Sequence, residues 1–195
     1  DWLKNSEKKT AKWKIHKPLE SWLKQPMLLI GGWWDPHLVG ILDIYQKSLE
    51  AGGKPELHIG PATHLQWWEG SEQLLLDFFN LHLKNPKNPS INKTRKKLWN
   101  LTLKKWSNAK SENIHFPEWA LRSTGIASIN SNNGTLETSL KGKGIETLVH
   151  DPWRPCPSIG GHLSPVPGEA ERSSIDKRFD VATFTSNPLN KNILI

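Results

Sequence analysis

Cysteine occurs once in the 195 residues, as Cys156. A lone thiol excludes an internal disulfide and any cysteine-rich zinc site, and it leaves the compartment open. No apolar run approaches the roughly eighteen residues of a membrane-spanning helix, so no membrane partner is expected. Acidic residues are missing from positions 84–110, which hold nine Lys/Arg and account for much of the net charge of +7. Trp99 and Trp106 interleave with those lysines, a pattern that suits stacking on bases. No nucleic-acid motif frames the stretch, however, and a solvated linker leading into a lysine-faced strand explains the charge, so nucleic acid is not expected as a partner. A Gly-x-Ser-x-Gly elbow is also missing, and no serine has the strand-to-helix setting of an exposed nucleophile.

What is present is tryptophan, eleven of them in a chain of only 36% hydrophobic residues. Each supplies a large area for burial, which argues for a globular protein. Residues 1–25 read as polar and partly helical. Met27–Ile30 is a continuous apolar run, as expected of a strand covered on both faces. Leu38, Ile41, Leu42, Tyr45 and Leu49 then repeat at helical spacing, and Gly52-Gly53 ends that helix. Leu57–Ile59 reads as a second strand. Ser71 is placed to cap a further helix with an apolar stripe of Leu74, Leu75, Phe78, Phe79 and Leu81. Strand, helix, strand, helix in this order predicts a parallel sheet with crossover connections.

After Lys84 the pattern changes. Asn85-Pro86 and Asn88-Pro89 mark a linker over 85–95. Short alternating runs follow at Leu98–Leu103, Gly125–Ile129, Thr135–Leu140 and Val181–Phe184, with Asn133-Gly134 as a hairpin signal. The Pro- and Gly-rich stretch 150–168 predicts a long loop. The fold expected is α/β, with a parallel-sheet region over 1–84 followed by an all-β region over 96–195.

Two ionisable residues stand just past the predicted strands, Asp35 after the first and His64 after the second. Open parallel sheets place ligand sites at that carboxyl edge. A carboxylate there can fix the tautomer of an imidazole that takes a proton from a nucleophile. Quieter readings stay open: Asp35-Pro36 as a helix cap followed by proline, His64 as a loop histidine and Thr63 as a cap. Trp33, Trp34 and Trp67 flank the pair and either wall an apolar substrate pocket or pack under the rim.

The run Pro26–Asp35 with its Gly-Gly-Trp-Trp-Asp turn, the Ala51-Gly52-Gly53 return and Ile59-Gly60-Pro61-Ala62-Thr63-His64 resemble the cocaine esterase and X-Pro dipeptidyl-peptidase family of serine hydrolases. Phe78–Lys84, His150-Asp151-Pro152, Pro155–Gly161 and Asp180–Ser186 are similar to later family segments. The resemblance implies the C-terminal part of an α/β-hydrolase sheet (1–84), a linker (85–95) and the start of a jelly-roll sandwich (96–195). It implies that Asp35 and His64 are the acid and base of a Ser-Asp-His triad acting on a small-molecule or peptide ester or amide, X-Pro peptides included, with no metal or organic cofactor. It further implies a protein longer at both ends, with the serine upstream, so that this piece alone is inactive. The alternative is a non-catalytic β-sandwich binding module.

Overall fold

The computed structural model describes residues 17–84, 96–108, 118–139, 141 and 144–190. Contacts group the chain into two compact units, Asp1–Ala109 and Lys110–Ile195. The first unit runs α1 (Glu20–Leu23), β1 (Leu28–Trp34), α2 (Leu38–Glu50), β2 (Glu56–Thr63), α3 (Ser71–Phe79), β3 (Lys96–Asn100) and β4 (Lys105–Asn108). Its four strands form one sheet in the order β1-β2-β3-β4. The first three are parallel and β4 closes back antiparallel on β3. A mixed sheet with a helical crossover between parallel strands is an α/β fold, as the periodicities predict.

The apolar centre lies on β2, where Leu57, Ile59 and Ala62 are almost wholly covered. β1 is the outer strand and is only half-buried except at Gly31 and Gly32, unlike the doubly covered strand expected there. Both strands run further than their apolar cores suggest, to Trp34 and Thr63. Leu38 and Ile41 of α2 reach down with Ile59 to crowd the space over Gly31. The rest of the predicted α2 stripe is looser, with Leu42 and Leu49 exposed. Gly52 adopts a φ of 81° and stops the helix, the left-handed conformation that glycine takes at little cost.

One polar contact fixes α2 to the segment before β1. Ser48 is fully buried, and its hydroxyl donates to the Leu23 carbonyl at 2.6 Å. Ser48→Ala leaves that carbonyl without its donor, an expected loss of about 1–3 kcal/mol. A urea titration of the chain reads this directly, and an unchanged midpoint would show that the bond carries no stability. Ser71, expected as a cap, instead lies buried in the first turn of α3, and Gly70 (φ 81°) takes the N-cap position.

Lys96–Asn108 also differs from expectation. Instead of opening the later β-region, β3 pairs with β2 and β4 with β3, so the contacts divide the chain after Ala109 and not across 84–96. An alternating run identifies a strand but carries no information about which sheet receives it. The linker 85–95 lies outside the described residues.

In the second unit, β5 (Ala120–Arg122) pairs antiparallel with β6 (Thr135–Glu137), and α4 (Ser173–Asp176) is one turn long. The Asn133-Gly134 hairpin does not form. Gly134 has a φ of −96°, Gly125–Ile129 is a turn, and β6 takes β5 as its partner. Val181–Phe184 belongs to no strand, although Thr185 next to it bridges to Thr135. Polar clamps hold the irregular segments. The Glu146 carboxylate accepts from the Ser123 hydroxyl and the Ala127 N–H, and chiefly the Ser123 bond holds its carboxyl below the ordinary range. Arg178 grips Asp180 through two bonds of 2.7 Å and donates to the Arg154 carbonyl, which ties the proline-rich loop to the residues after α4. Among the described residues no helix is long and apolar enough to cross a membrane.

Candidate active site

The site is set by register. From Leu28↔Glu56 to Gly32↔Gly60 the two strands advance together, but the next pair is Trp34↔Thr63. One extra residue on β2 is absorbed as a bulge between these pairs, a local device that re-aims the side chains beyond it. Asp35 and His64 therefore directly follow this last matched pair, just past the ends of their strands. Gly32 permits this, because a Cβ at that position would run into the backbone of Ala62.

Two tight turns then hold the pair. The Asp35 N–H donates to the Gly32 carbonyl, and the His37 N–H donates to Asp35 Oδ1 at 2.8 Å. This second bond is an Asx-turn, in which an aspartate organises the backbone two residues on. Asp35 is thus neither the N-cap of α2, a position held by His37, nor a free carboxylate. On β2 the Thr63 hydroxyl accepts from the N–H groups of Leu65 and Gln66, and the Thr63 N–H donates to the Gln66 carbonyl. Thr63 shapes the turn that carries His64 and caps no helix.

His64 Nδ1 lies 3.4 Å from Asp35 Oδ1, with the carboxylate side chain 7% exposed and the imidazole 56% exposed. The distance is slightly longer than a tight hydrogen bond. A buried, backbone-tethered carboxylate facing an accessible imidazole can orient the ring and stabilise its protonated form. A second His–carboxylate pair provides the contrast. His58 Nε2 and Glu56 Oε1 are 2.8 Å apart, but the His58 side chain is only 3% exposed and its ring faces Trp106. An imidazole so enclosed serves packing, since no substrate can reach it.

His37 was not singled out from the sequence. Its ring centroid is 4.8 Å from that of His64, and ligand atoms of Asp35, His37 and His64 all lie within 4.8 Å of one another. The Asp-x-His spacing at 35–37 is the signal that was available.

The tryptophans divide by environment. Trp33 is anchored, its Nε1 donating to the Trp99 carbonyl at 2.8 Å. Trp68 lies flat against Gly60 and edge-on to Trp106, whose ring also meets Trp99. Trp34 is half-buried, while Trp67 is exposed and leans on Trp68. Trp33 and Trp68 thus brace the rim, and Trp67 offers the accessible face. Trp99 and Trp106, which the basic stretch suggested for base stacking, are engaged with each other and with the rim.

Residues 1–66 match the X-Pro dipeptidyl-peptidase (S15) family. A cocaine esterase of Rhodococcus sp. (strain MB1 Bresler) is 22% identical over 190 residues, a match that takes in 86% of this chain and 33% of that protein. The chain thus spans about a third of the length of the curated relative it matches. The family match includes both rim turns, and together the two findings uphold the resemblance read in the sequence: through residues 1–66 this chain is similar to the X-Pro dipeptidyl-peptidase (S15) family.

Proposed function

We propose that the chain carries the acid and base of a serine hydrolase acting on ester or amide bonds. The observation that carries this reading is the 3.4 Å approach of a buried Asp35 carboxylate to an exposed His64 imidazole at the carboxyl edge of a parallel sheet. Because Nδ1 faces Asp35, Nε2 on the other side of the ring is left to take the proton of a serine hydroxyl and return it to the leaving group. The attacked carbonyl carbon becomes an acyl-enzyme ester, which water then cleaves with the same histidine as base. That serine is proposed to lie on a segment joined to this chain, since no Gly-x-Ser-x-Gly elbow occurs within it. Residues 110–195 are proposed to open a jelly-roll sandwich, and Trp67 to contribute an apolar face to the substrate. The names of the relatives point to esters and to X-Pro peptides as substrate classes.

A fluorophosphonate probe tests the reading. The protein containing this chain should be labelled on one serine and should hydrolyse a nitrophenyl ester, and inhibition by the probe should track labelling. A protein that is neither labelled nor active sinks the proposal and leaves the non-catalytic binding module.

A further inference from the structure

We infer that Asp35, His37 and His64 form a binding site for a divalent transition ion of the zinc type. The donor set, two imidazoles and one carboxylate, suits zinc, cobalt or nickel, and is poorly matched to magnesium or calcium, which prefer all-oxygen shells. The three ligand atoms lie within 4.8 Å of one another. Zinc bonds to N and O are about 2.0–2.2 Å long, which places ligand atoms on a tetrahedral ion roughly 3.4 Å apart. Asp35 Oδ1 and His64 Nδ1 already have that separation, 3.4 Å. His37 is the one that must close in, and both imidazoles are exposed, so rotation of their side chains meets little packing resistance. Asp35 supplies the fixed point. It is buried, and the backbone N–H of His37 holds Oδ1 in place at 2.8 Å, the kind of outer bond that orients a ligating carboxylate.

An ion bound to both Asp35 Oδ1 and His64 Nδ1 stands between the imidazole and its carboxylate. On the hydrolase reading, a bound ion and catalysis therefore exclude each other, and zinc acts as a reversible inhibitor through His37, a residue outside the proposed triad. The binding claim itself rests on three side chains of one compact unit and stands whether or not that reading holds.

The experiment is calorimetric titration of zinc into the untagged chain carrying Cys156→Ser, which removes the exposed free thiol as a rival ligand. Cobalt titration is followed in parallel through its visible absorption. One zinc per chain is expected, with no comparable response to magnesium. His37→Ala and His64→Ala should each weaken binding by more than about tenfold, since losing even an outer-shell partner costs about 10–100-fold. His82→Ala, His150→Ala and His162→Ala should leave it intact. Circular dichroism confirms that the variants fold, and both critical histidines are exposed, so their loss should not unfold the chain. Undiminished affinity in either His37→Ala or His64→Ala overturns the site, and so does binding that follows the other histidines. Because the readout needs no turnover, failure here is distinct from failure of the hydrolase proposal.

Discussion

Replacing His64 with alanine, in a protein that joins this chain to its nucleophile, should lower kcat for a nitrophenyl ester by about 10⁴–10⁶-fold with little change in KM. The base is required when the serine proton leaves and again when the leaving group is protonated, so its loss falls on the transition state and not on substrate binding. Asp35→Asn should cost orders of magnitude in kcat, because a neutral amide no longer supplies the negative charge that stabilises the imidazolium. The asparagine oxygen can still accept the His37 N–H, so the turn survives and the melting temperature should hold within a few degrees. Steady-state kinetics and a thermal melt on the same preparations check both halves. Near-normal turnover in His64→Ala removes the imidazole from the mechanism. Stability lost in Asp35→Asn without a specific loss of kcat would reduce Asp35 to a former of turns.

The largest expected effect on stability belongs to Gly32. A Cβ there would press on the Ala62 carbonyl carbon at 2.6 Å and on its Cβ at 2.9 Å. These atoms lie on the backbone of a hydrogen-bonded partner strand or directly on it, so no flexible side chain can yield. Gly32→Ala should therefore destabilise the first unit by about 3 kcal/mol, the upper range for overpacking a dense interior. It should also displace the bulge and weaken the zinc binding proposed for Asp35, His37 and His64. Gly40 provides the control within one helix. It lies inside α2 with nothing within 4 Å of an added Cβ. Gly40→Ala should stabilise by about 0.5–1 kcal/mol, since alanine restricts the unfolded chain and favours the helix. Denaturant midpoints of opposite sign for the same chemical change are the expected result. Equal effects would show that contact with Ala62 is not what makes Gly32 necessary.

Much of the first unit could be read from the sequence because periodicity reports burial. The spacing of Leu38, Ile41 and Tyr45 defines α2, and Leu57–Ile59 defines the most deeply covered strand. The strand ends were harder to place. Gly31-Gly32 and Gly60-Pro61 are poor strand formers by composition, and these strand ends are extended because the neighbouring strand pairs with them. Pairing partners were hidden as well. Lys96–Asn100 alternates in the same way whether it joins β2 or a sandwich, and that choice depends on long-range contact. Asn133-Gly134 carries a hairpin signal that the flanking chain overrides by pairing β6 with β5. In the site, Asp35 and His64 were visible as strand-end residues. The bulge that brings them level was not visible, because a register shift leaves no mark in either strand alone.

That bulge gives the rim an arithmetic of its own. Side chains along a strand alternate between two faces, so residue number between Gly60 and His64 acts as a parity. Substitutions at Pro61 or Ala62 keep that parity, whereas one codon gained or lost there would bring Thr63 or Leu65 level with Asp35 in place of His64. The length of the segment between Gly60 and His64, and not only its composition, therefore sets which side chain stands opposite Asp35.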